Sequence, residues 1–315
     1  MSFRWVILGA GSIATKFNDA IRRIDGAEVI GVGSRSAERG AAFAQKHGIP
    51  QSGTYAEMLA LKPDAAYIAA TTEAHADLTR LCIEAGIPVL CEKAMFTNAK
   101  EAEEVFALAK DKGVFAMEAM WSRFLPTIVQ MKKQLDAGVI GQVKHAEIAI
   151  GWPAYAGPDS RFYLKELGGG AAYDLFVYCY ELAEFYLGVP EKVEHVSVHW
   201  ASTGVDETET VILRYPWGLA TLTASIGVKV DERAVLMGTE GQLRMLKPHY
   251  GNEFVLRHPD GTEEAWQDDK TENGFVYEAE EVMRCVKAGL LESPTVPHDL
   301  TIRCAKVFDL LNASK

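Results

Sequence analysis

Short apolar runs alternate with amphipathic segments through about residue 118 of the chain. The runs are too short for buried helices and predict strands at 4–8, 28–33, 65–70, 89–91 and 114–117. Between them, apolar residues at helical spacing predict helices at 13–24, 37–46 and 99–112, and a further helix that ends near residue 85. Repeated strand–helix units are typical of a doubly wound parallel sheet, which places this part of the chain in the α/β class.

The pattern changes after residue 118. One amphipathic helix ending near residue 138 precedes a long stretch dominated by alternating apolar and polar positions. Strands are predicted at 143–150, 193–200, 209–215, 219–226, 234–238, 242–246, 254–258 and 263–266, and helices at 168–186, 274–288 and 300–312. We expect an α+β domain with a mainly antiparallel sheet that is open on one face. The predicted domains are therefore 1–118 and 119–315.

A glycine-rich turn follows the first predicted strand. Gly9-Ala10-Gly11-Ser12-Ile13-Ala14 has the pattern GxGxxA and opens the first helix. In such a turn the first glycine permits the tight bend, the second lets the backbone approach a pyrophosphate, and the small third residue lets helix and strand pack closely. The turn predicts a dinucleotide whose phosphates lie at the helix N-terminus.

The second predicted strand ends at Ser34-Arg35-Ser36. An NAD site usually has an acidic residue here for the ribose hydroxyls, and a carboxylate would repel a 2′-phosphate. An arginine can bind that phosphate through two hydrogen bonds, and the serines can donate to it. NADP(H) is therefore favoured over NAD(H), the alternative being that Arg35 is merely solvated.

Polar residues also follow the next two strands, at Thr71, Thr72 and His75 and at Glu92-Lys93. Ligands bind at the carboxyl ends of parallel strands, so these residues are candidates for contact with the cofactor. His75 could equally be a helix cap or a packed imidazole, and Lys93 a surface charge.

The predicted helix at 168–186 begins with three glycines, which let another group approach the backbone. Asp174 and Tyr178 are four residues apart and so share one face of it. They are candidate site residues, and a buried Asp–Tyr hydrogen bond in a core helix is the alternative.

The net charge of −11 argues against nucleic acid or an anionic membrane as the main partner. Five scattered cysteines without a CxxC pair predict buried thiols in a reducing compartment, and the chain enters its first strand without a leader pattern. We therefore expect a cytoplasmic protein. No metal site is predicted.

Four features together resemble the Gfo/Idh/MocA family, named for glucose–fructose oxidoreductase, inositol dehydrogenase and a rhizopine-catabolism protein. They are the GxGxxA turn, Glu92-Lys93, the pattern GGGxxxDxxxY at 168–178, and Gly238-Thr-Glu-Gly241. The resemblance covers essentially the whole chain and implies a Rossmann domain followed by an open-faced α/β domain. The segment 118–126 looks most like that of the dimeric dihydrodiol and NADP-dependent D-xylose dehydrogenases.

The chain departs from the family pattern at three places. Ala94 stands where a proline is usual, Thr72-Glu73 replaces a common Pro-Asn, and Phe176 is bulkier than the small residue often found there.

The resemblance implies reversible hydride transfer between a nicotinamide and a secondary alcohol of a sugar, polyol or trans-dihydrodiol. Tyr178 would be the general base, and a neighbouring Lys93 ammonium would favour its phenolate, since a tyrosine ordinarily titrates near pH ~10. Asp174 would orient the substrate, with Lys93 as an alternative proton carrier and Glu92 in support.

Aromatic and basic residues could form the substrate side of the site, although they could equally belong to the core. These candidates are Trp121, Arg123, Trp152, Phe162 and Tyr163. Two other functions remain open: a glycosidase or sugar–sugar oxidoreductase that retains NAD(P), and a non-catalytic NADP-sensing regulator. The open sheet face predicts a homodimer or larger homo-oligomer.

Overall fold

The structure, a computed structural model, describes residues 2–154 and 157–315. It divides into two units. The first comprises Met1–Trp121 and Glu272–Ala305, and the second comprises Ser122–Thr271 and Lys306–Lys315.

The first unit is built on a sheet in which six described strands are all parallel, in the order β3-β2-β1-β4-β5-β6. These strands are β1 Phe3–Leu8, β2 Ala27–Gly33, β3 Gln51–Gly53, β4 Ala65–Ile68, β5 Val89–Glu92 and β6 Ala116–Ala119. The helices that connect these strands along the chain are α1 Ser12–Ile21, α2 Ala37–His47, α3 Tyr55–Ala60, α4 His75–Glu84 and α5 Ala99–Lys112.

Local sequence signals fix the ends of several of these helices. The Ser36 side chain accepts a hydrogen bond from the N-terminus of α2, and Thr54 and Glu57 form a reciprocal capping box on α3. Gly48 and Gly113 end α2 and α5 in the left-handed conformation that glycine adopts without steric cost.

Aromatic packing joins the sheet of the first unit to its first helix. Trp5 of β1 and Tyr67 of β4 are fully buried, and both contact Phe17 of α1. The rings of Phe17 and Tyr67 stack with their centroids 3.7 Å apart. This burial anchors α1, and with it the glycine turn at its N-terminus, on the central strands.

The second unit contains a described sheet of eight strands in the order β14-β13-β12-β11-β7-β10-β9-β8. Only the β7–β10 pair in it is parallel. The strands are β7 Val143–Gly151, β8 Lys192–Trp200, β9 Asp206–Tyr215, β10 Gly218–Ser225, β11 Arg233–Gly238, β12 Gly241–Leu246, β13 Glu253–Arg257 and β14 Glu263–Gln267. The unit also holds α6 Pro126–Asp136 and α7 Val177–Leu187, the latter preceded by a π-helical turn at Ala172–Phe176. That turn and α7 pack against β7 and β10.

The predicted fold class, a parallel doubly wound sheet and a mainly antiparallel one, is confirmed. Two elements of the first unit, β3 and α3, were not predicted, and β6 begins at Ala116 rather than at residue 114. The helix predicted from residue 168 begins only after the glycines and includes the π-helical turn.

The compact units also differ from the predicted division at residue 118. Helix α8, Phe275–Lys287, and the portion of α9, His298–Ala313, that ends at Ala305 belong with the first unit. The reason is packing, since α8 lies against α1. Among the described residues, no helix has both the length and the apolar character needed to cross a bilayer.

Candidate active site

The glycine turn after β1 has the backbone that a dinucleotide requires. Gly9 has φ +126°, donates to the Gly33 carbonyl at 2.8 Å, and would bring a Cβ within 2.5 Å of the Ala69 carbonyl oxygen. Any side chain there would therefore be excluded. Gly11 is the N-cap of α1, and no side chain caps that N-terminus. The backbone N–H groups near Ala10–Ile13 thus fit a pyrophosphate.

The end of β2 carries the residues predicted to meet the adenosine ribose. Ser34 Oγ accepts from Ser36 N–H at 3.2 Å, and Ser36 Oγ caps α2. The side chain of Arg35 is 68% exposed, and its guanidinium lies 3.7 Å from Glu73 Oε1. Glu73 also accepts from Thr71 Oγ at 2.6 Å. The structure therefore places Arg35 beside Glu73, a pairing that the sequence analysis, which noted Glu73 only as a departure from the family pattern, did not predict.

His75, expected to contact the cofactor, is 1% exposed. Its Nδ1 lies 2.8 Å from the Ala94 carbonyl oxygen and its Nε2 lies 3.1 Å from that of Ala70. Burial lowers the pKa of His75, so the neutral ring can donate to only one of these two acceptors. The imidazole thus links the start of α4 to the segment that follows Lys93. Its cofactor contact remains a prediction, and Thr72, in the same connection, is half-buried.

Buried side chains hold the segment around Lys93 from two sides. Tyr67 donates its hydroxyl hydrogen bond to Glu92, and Glu118 of β6 accepts from the Met95 N–H at 2.9 Å. Lys93 itself is half-buried, and its peptide bond to Ala94 is cis. The Lys93–Ala94 peptide bond is thus cis even though Ala94 stands where the family usually has a proline.

A third buried carboxyl group lies near the Tyr67–Glu92 pair. Glu278 of α8 is 0% exposed, and neither carboxylate oxygen has a hydrogen-bond partner among the described residues. Burial, followed by repulsion from Glu92, raises the pKa of Glu278 well above its ordinary value. The pKa of Glu92 is also raised, chiefly by burial.

In the second unit, the glycines at 168–170 bring the chain against itself. A Cβ at Gly169 would lie 2.7 Å from the carbonyl oxygens of both Arg161 and Phe162, and one at Gly170 would collide with the Asp206 carboxylate. Gly170 N–H also donates to the Phe162 carbonyl at 2.9 Å. What approaches the glycine backbone is therefore the chain itself, and this contact ties the 161–164 loop to the helix that follows.

Asp174 lies in the π-helical turn, where its side chain is 14% exposed. Arg161 donates to Asp174 Oδ1 at 3.4 Å, and its guanidinium lies 3.9 Å from the ring centre of Phe162. Trp152 meets Phe162 edge to face at 4.9 Å. The structure thus brings three predicted residues together around Arg161, which the sequence analysis did not select.

Tyr178 follows Asp174 on the first turn of α7 and is 6% exposed. Its ring lies 4.9 Å from the His249 ring at a 30° tilt. His249 follows β12, and no motif pointed to it. A π-helical turn inserted in an α-helix is frequent at functional sites, and here it contains Asp174 and ends just before Tyr178.

The remaining predicted residues have different surroundings. Tyr163 donates to Glu207 Oε1 at 3.1 Å. Arg123 is 5% exposed, lies 3.6 Å from Glu181 Oε2, and has its guanidinium 5.0 Å from the Phe185 ring centre. That burial gives Arg123 a structural explanation, while its substrate role stays a prediction.

Trp121 belongs to the first unit, where it stacks on Phe275 with centroids 5.2 Å apart. It is half-buried, and its contact with the substrate stays a prediction. In the described part of the chain, no group of three or more His, Cys, Asp or Glu side chains is arranged to hold a metal.

Two family models match the chain, one over its N-terminal part and one over its C-terminal part. A model described as "Oxidoreductase family, NAD-binding Rossmann fold" matches residues 3–120, and one described as "GFO/IDH/MocA C-terminal domain" matches residues 128–244. The chain is also 36% identical to a trans-1,2-dihydrobenzene-1,2-diol dehydrogenase of Mus musculus, covering 94% of this chain and 92% of that one.

The chain belongs to the Gfo/Idh/MocA family. It is an NAD(P)-dependent oxidoreductase, as the sequence resemblance implied. A trans-1,2-dihydrobenzene-1,2-diol dehydrogenase of Danio rerio is 33% identical and covers 98% of this chain and 96% of that one.

Solved structures confirm the fold. KijD10, a 3-ketoreductase from Actinomadura kijaniata solved with TDP-benzene and NADP, gives a TM-score of 0.89 at 23% identity, covering 99% of this chain and 98% of that one. An aldose-aldose oxidoreductase from Caulobacter crescentus, complexed with glycerol, gives 0.90 at 20% identity, covering 100% and 97%.

Proposed function

We propose that this protein oxidises a secondary alcohol of a trans-dihydrodiol, sugar or polyol with NADP, and catalyses the reverse reduction. The observation that carries the proposal is the cluster of Asp174, Arg161, Phe162 and Trp152 in the second unit. It combines aromatic surface with charged hydrogen-bonding groups, which suits a ring bearing hydroxyls. The dihydrodiol dehydrogenases that the chain resembles support the same substrate class.

The proposed chemistry divides among three side chains. Tyr178 accepts the hydroxyl proton as the alcohol is oxidised, Lys93 donates a hydrogen bond to the reacting oxygen, and Asp174 orients the substrate. Bound NADP supplies the hydride acceptor. Lys93 remains an alternative proton carrier, and Glu92 supports it from the end of β5.

NADP is proposed over NAD because of Arg35. Its exposed guanidinium stands at the end of β2, where a dinucleotide places its adenosine ribose. The NADP named with KijD10 agrees with this choice. Glu73 lies beside Arg35, so we expect the preference to be weaker than an unopposed arginine would give.

A homodimer and a cytoplasmic location are also proposed. One face of the second unit's sheet carries two hydroxyl pairs, Thr210 with Thr223 at 3.2 Å and Thr208 with the buried Ser225 at 2.7 Å. A second copy of the chain would cover this face, and sedimentation at the mass of one 34.6 kDa chain would contradict that arrangement. All five cysteines are buried and free, which agrees with the proposed reducing compartment.

The function is tested by mixing the purified chain with NADP+ or NAD+ and a panel of trans-dihydrodiols, pentoses, hexoses and inositols. We expect NADPH to form in proportion to the substrate consumed, at least for a dihydrodiol or D-xylose. Sugar conversion without net NADPH would instead indicate an enzyme that retains its cofactor. Cofactor binding with no conversion of any substrate in the panel would support a regulator.

A further inference from the structure

The β9 strand presents two acidic residues to the N-terminus of the helix that carries Asp174 and Tyr178. Asp206 Oδ2 accepts a hydrogen bond from Ala172 N–H at 2.5 Å, and Asp206 is 5% exposed. Glu209, three residues further along β9, is 1% exposed. No part of the sequence pattern singled out either residue.

The buried carboxyl groups of Glu209 and Asp206 interact electrostatically with each other. Neither oxygen of Glu209 meets a donor elsewhere in the described structure, and Asp206 offers only acceptors when it is ionised. Two buried carboxyl groups in contact bond to each other only when one of them keeps a proton. Burial, followed by the neighbouring Asp206, raises the pKa of Glu209 well above its ordinary value. Burial also raises the pKa of Asp206, but hydrogen bonds from the backbone N–H groups of Ala172 and Ala171 oppose that shift, and Glu209 has no such donors. The proton therefore stays on Glu209.

Asp206 and its neighbour Glu207 also hold the 161–164 loop. Gly170 lies against the Asp206 carboxylate with φ +121°, and its N–H donates to the Phe162 carbonyl. Glu207, next to Asp206 on β9, accepts from the Tyr163 hydroxyl. A shift of Asp206 would thus move both the helix of Asp174 and Tyr178 and the loop that carries Phe162.

We propose that Asp206 is a positioning residue for the reaction: its carboxylate, next to the buried Glu209, caps the π-helical turn at Ala172 and sets the positions of Asp174 and Tyr178. An anion is favourable at a helix N-terminus, where the backbone N–H groups have no partner within the helix. The proposal deepens the proposed function, because it depends on Asp174 and Tyr178 acting in catalysis.

The test separates the charge from the shape. Asp206→Asn keeps an oxygen that can accept from Ala172 but removes the charge, whereas Glu209→Gln keeps a neutral donor for Asp206. We expect Asp206→Asn to lower kcat about tenfold or more, with the KM for NADP within about twofold of wild type. Glu209→Gln should keep kcat within about twofold. A deuterium isotope effect on the substrate C–H bond should increase in Asp206→Asn, because hydride transfer becomes slower than product release.

Two results would overturn the proposal: wild-type kcat in Asp206→Asn, or a tenfold loss in Glu209→Gln with its melting temperature unchanged. If Asp206→Asn does not fold, Glu209→Leu decides, since it removes the donor from Asp206. A loss of kcat in that variant supports the proposal, and an unchanged kcat contradicts it. Failure of the proposed function would look different, because the wild-type protein itself would then show no NADP-dependent oxidation or Tyr178→Phe would remain fully active.

Discussion

The Nδ1 atom of His75 lies 2.8 Å from the carbonyl oxygen of Ala94, the residue that follows Lys93. His75 is buried at the start of α4, and its other ring nitrogen lies near the Ala70 carbonyl oxygen. The position of Lys93 at the end of β5 therefore depends on a side chain from the neighbouring strand–helix connection.

Replacing His75 with Ala should lower the free energy of unfolding by about 1–3 kcal/mol, because one of the two carbonyl groups beside its ring, that of Ala94 or that of Ala70, loses its donor. Urea unfolding of the two proteins at neutral pH measures this loss. His47→Ala is the matched control, since His47 is half-buried in the same unit and should cost less. Equal stability of His75→Ala and wild type would contradict a stabilising hydrogen bond from the His75 ring.

The stability contributed by His75 should depend on pH. Burial holds its native pKa below the ordinary value of 6.5, so the unfolded chain binds a proton that the native chain does not as pH falls through that range. Stability should therefore decrease as pH is lowered below 6.5 towards the native pKa. The difference in unfolding free energy between wild type and His75→Gln should shrink over the same interval. A constant difference would show that His75 does not titrate in this way.

Glu278 should make the protein less stable as pH rises. Its native pKa is raised, so the native chain keeps a proton that the unfolded chain loses above pH 4.5, and this contribution disappears as pH approaches the native pKa. Glu278→Met removes the buried carboxyl group and should stabilise the protein by about 1–3 kcal/mol at mildly alkaline pH. Thermal unfolding at several pH values provides the measurement. Glu280→Met, at an exposed position of α8, is the control. If the difference in stability between Glu278→Met and wild type were the same at every pH, the prediction would be contradicted.

Arg35 should determine the choice of cofactor. Arg35→Ala should raise the KM for NADP roughly 10- to 100-fold, because a charge-assisted contact to the 2′-phosphate contributes about 1.5–3 kcal/mol. The KM for NAD should change little. Arg39→Ala, an exposed arginine on the following helix, should leave both values near wild type. Equal effects of Arg35→Ala on the two cofactors would exclude a contact with the phosphate.

Most of the fold could be predicted from the sequence because strand and helix periods are local. Continuous apolar runs identified the parallel strands, and the α5 helix at Ala99–Lys112 matched its prediction because Asn98 and Gly113 cap its two ends. The short β3 and α3 were missed because three- and six-residue segments carry too little periodicity. The place of α8 in the first unit depends on packing against α1, which no local pattern reports.

The candidate site was predictable only where a motif fixed it. Gly9 and Gly11 could be read from their spacing. Asp174 and Tyr178 were selected from their four-residue spacing, although the pattern did not predict the π-helical turn that contains Asp174. Arg161 could not be selected in this way, because its contact with Asp174 arises from a loop folded against the glycines.

Other site residues depend on pairings between distant parts of the chain. His249 contacts Tyr178 although the two residues are 71 positions apart in the chain, and Asp206 contacts Ala172 because of where β9 lies in the sheet. An acidic residue within a strand-like pattern is the sequence signal that could have drawn attention to Asp206 and Glu209.

The central claim is that Tyr178 carries the proton in an NADP-dependent oxidation. The most direct measurement compares kcat of wild type, Tyr178→Phe and Tyr186→Phe with NADP+ and the best alcohol substrate. Tyr186 is the control because it lies on the same helix, is buried, and has a hydroxyl without a hydrogen-bond partner in the described structure. We predict that Tyr178→Phe loses at least about 100-fold in kcat while still binding NADP, and that Tyr186→Phe stays within about twofold of wild type. A Tyr178→Phe variant as active as Tyr186→Phe would contradict the claim.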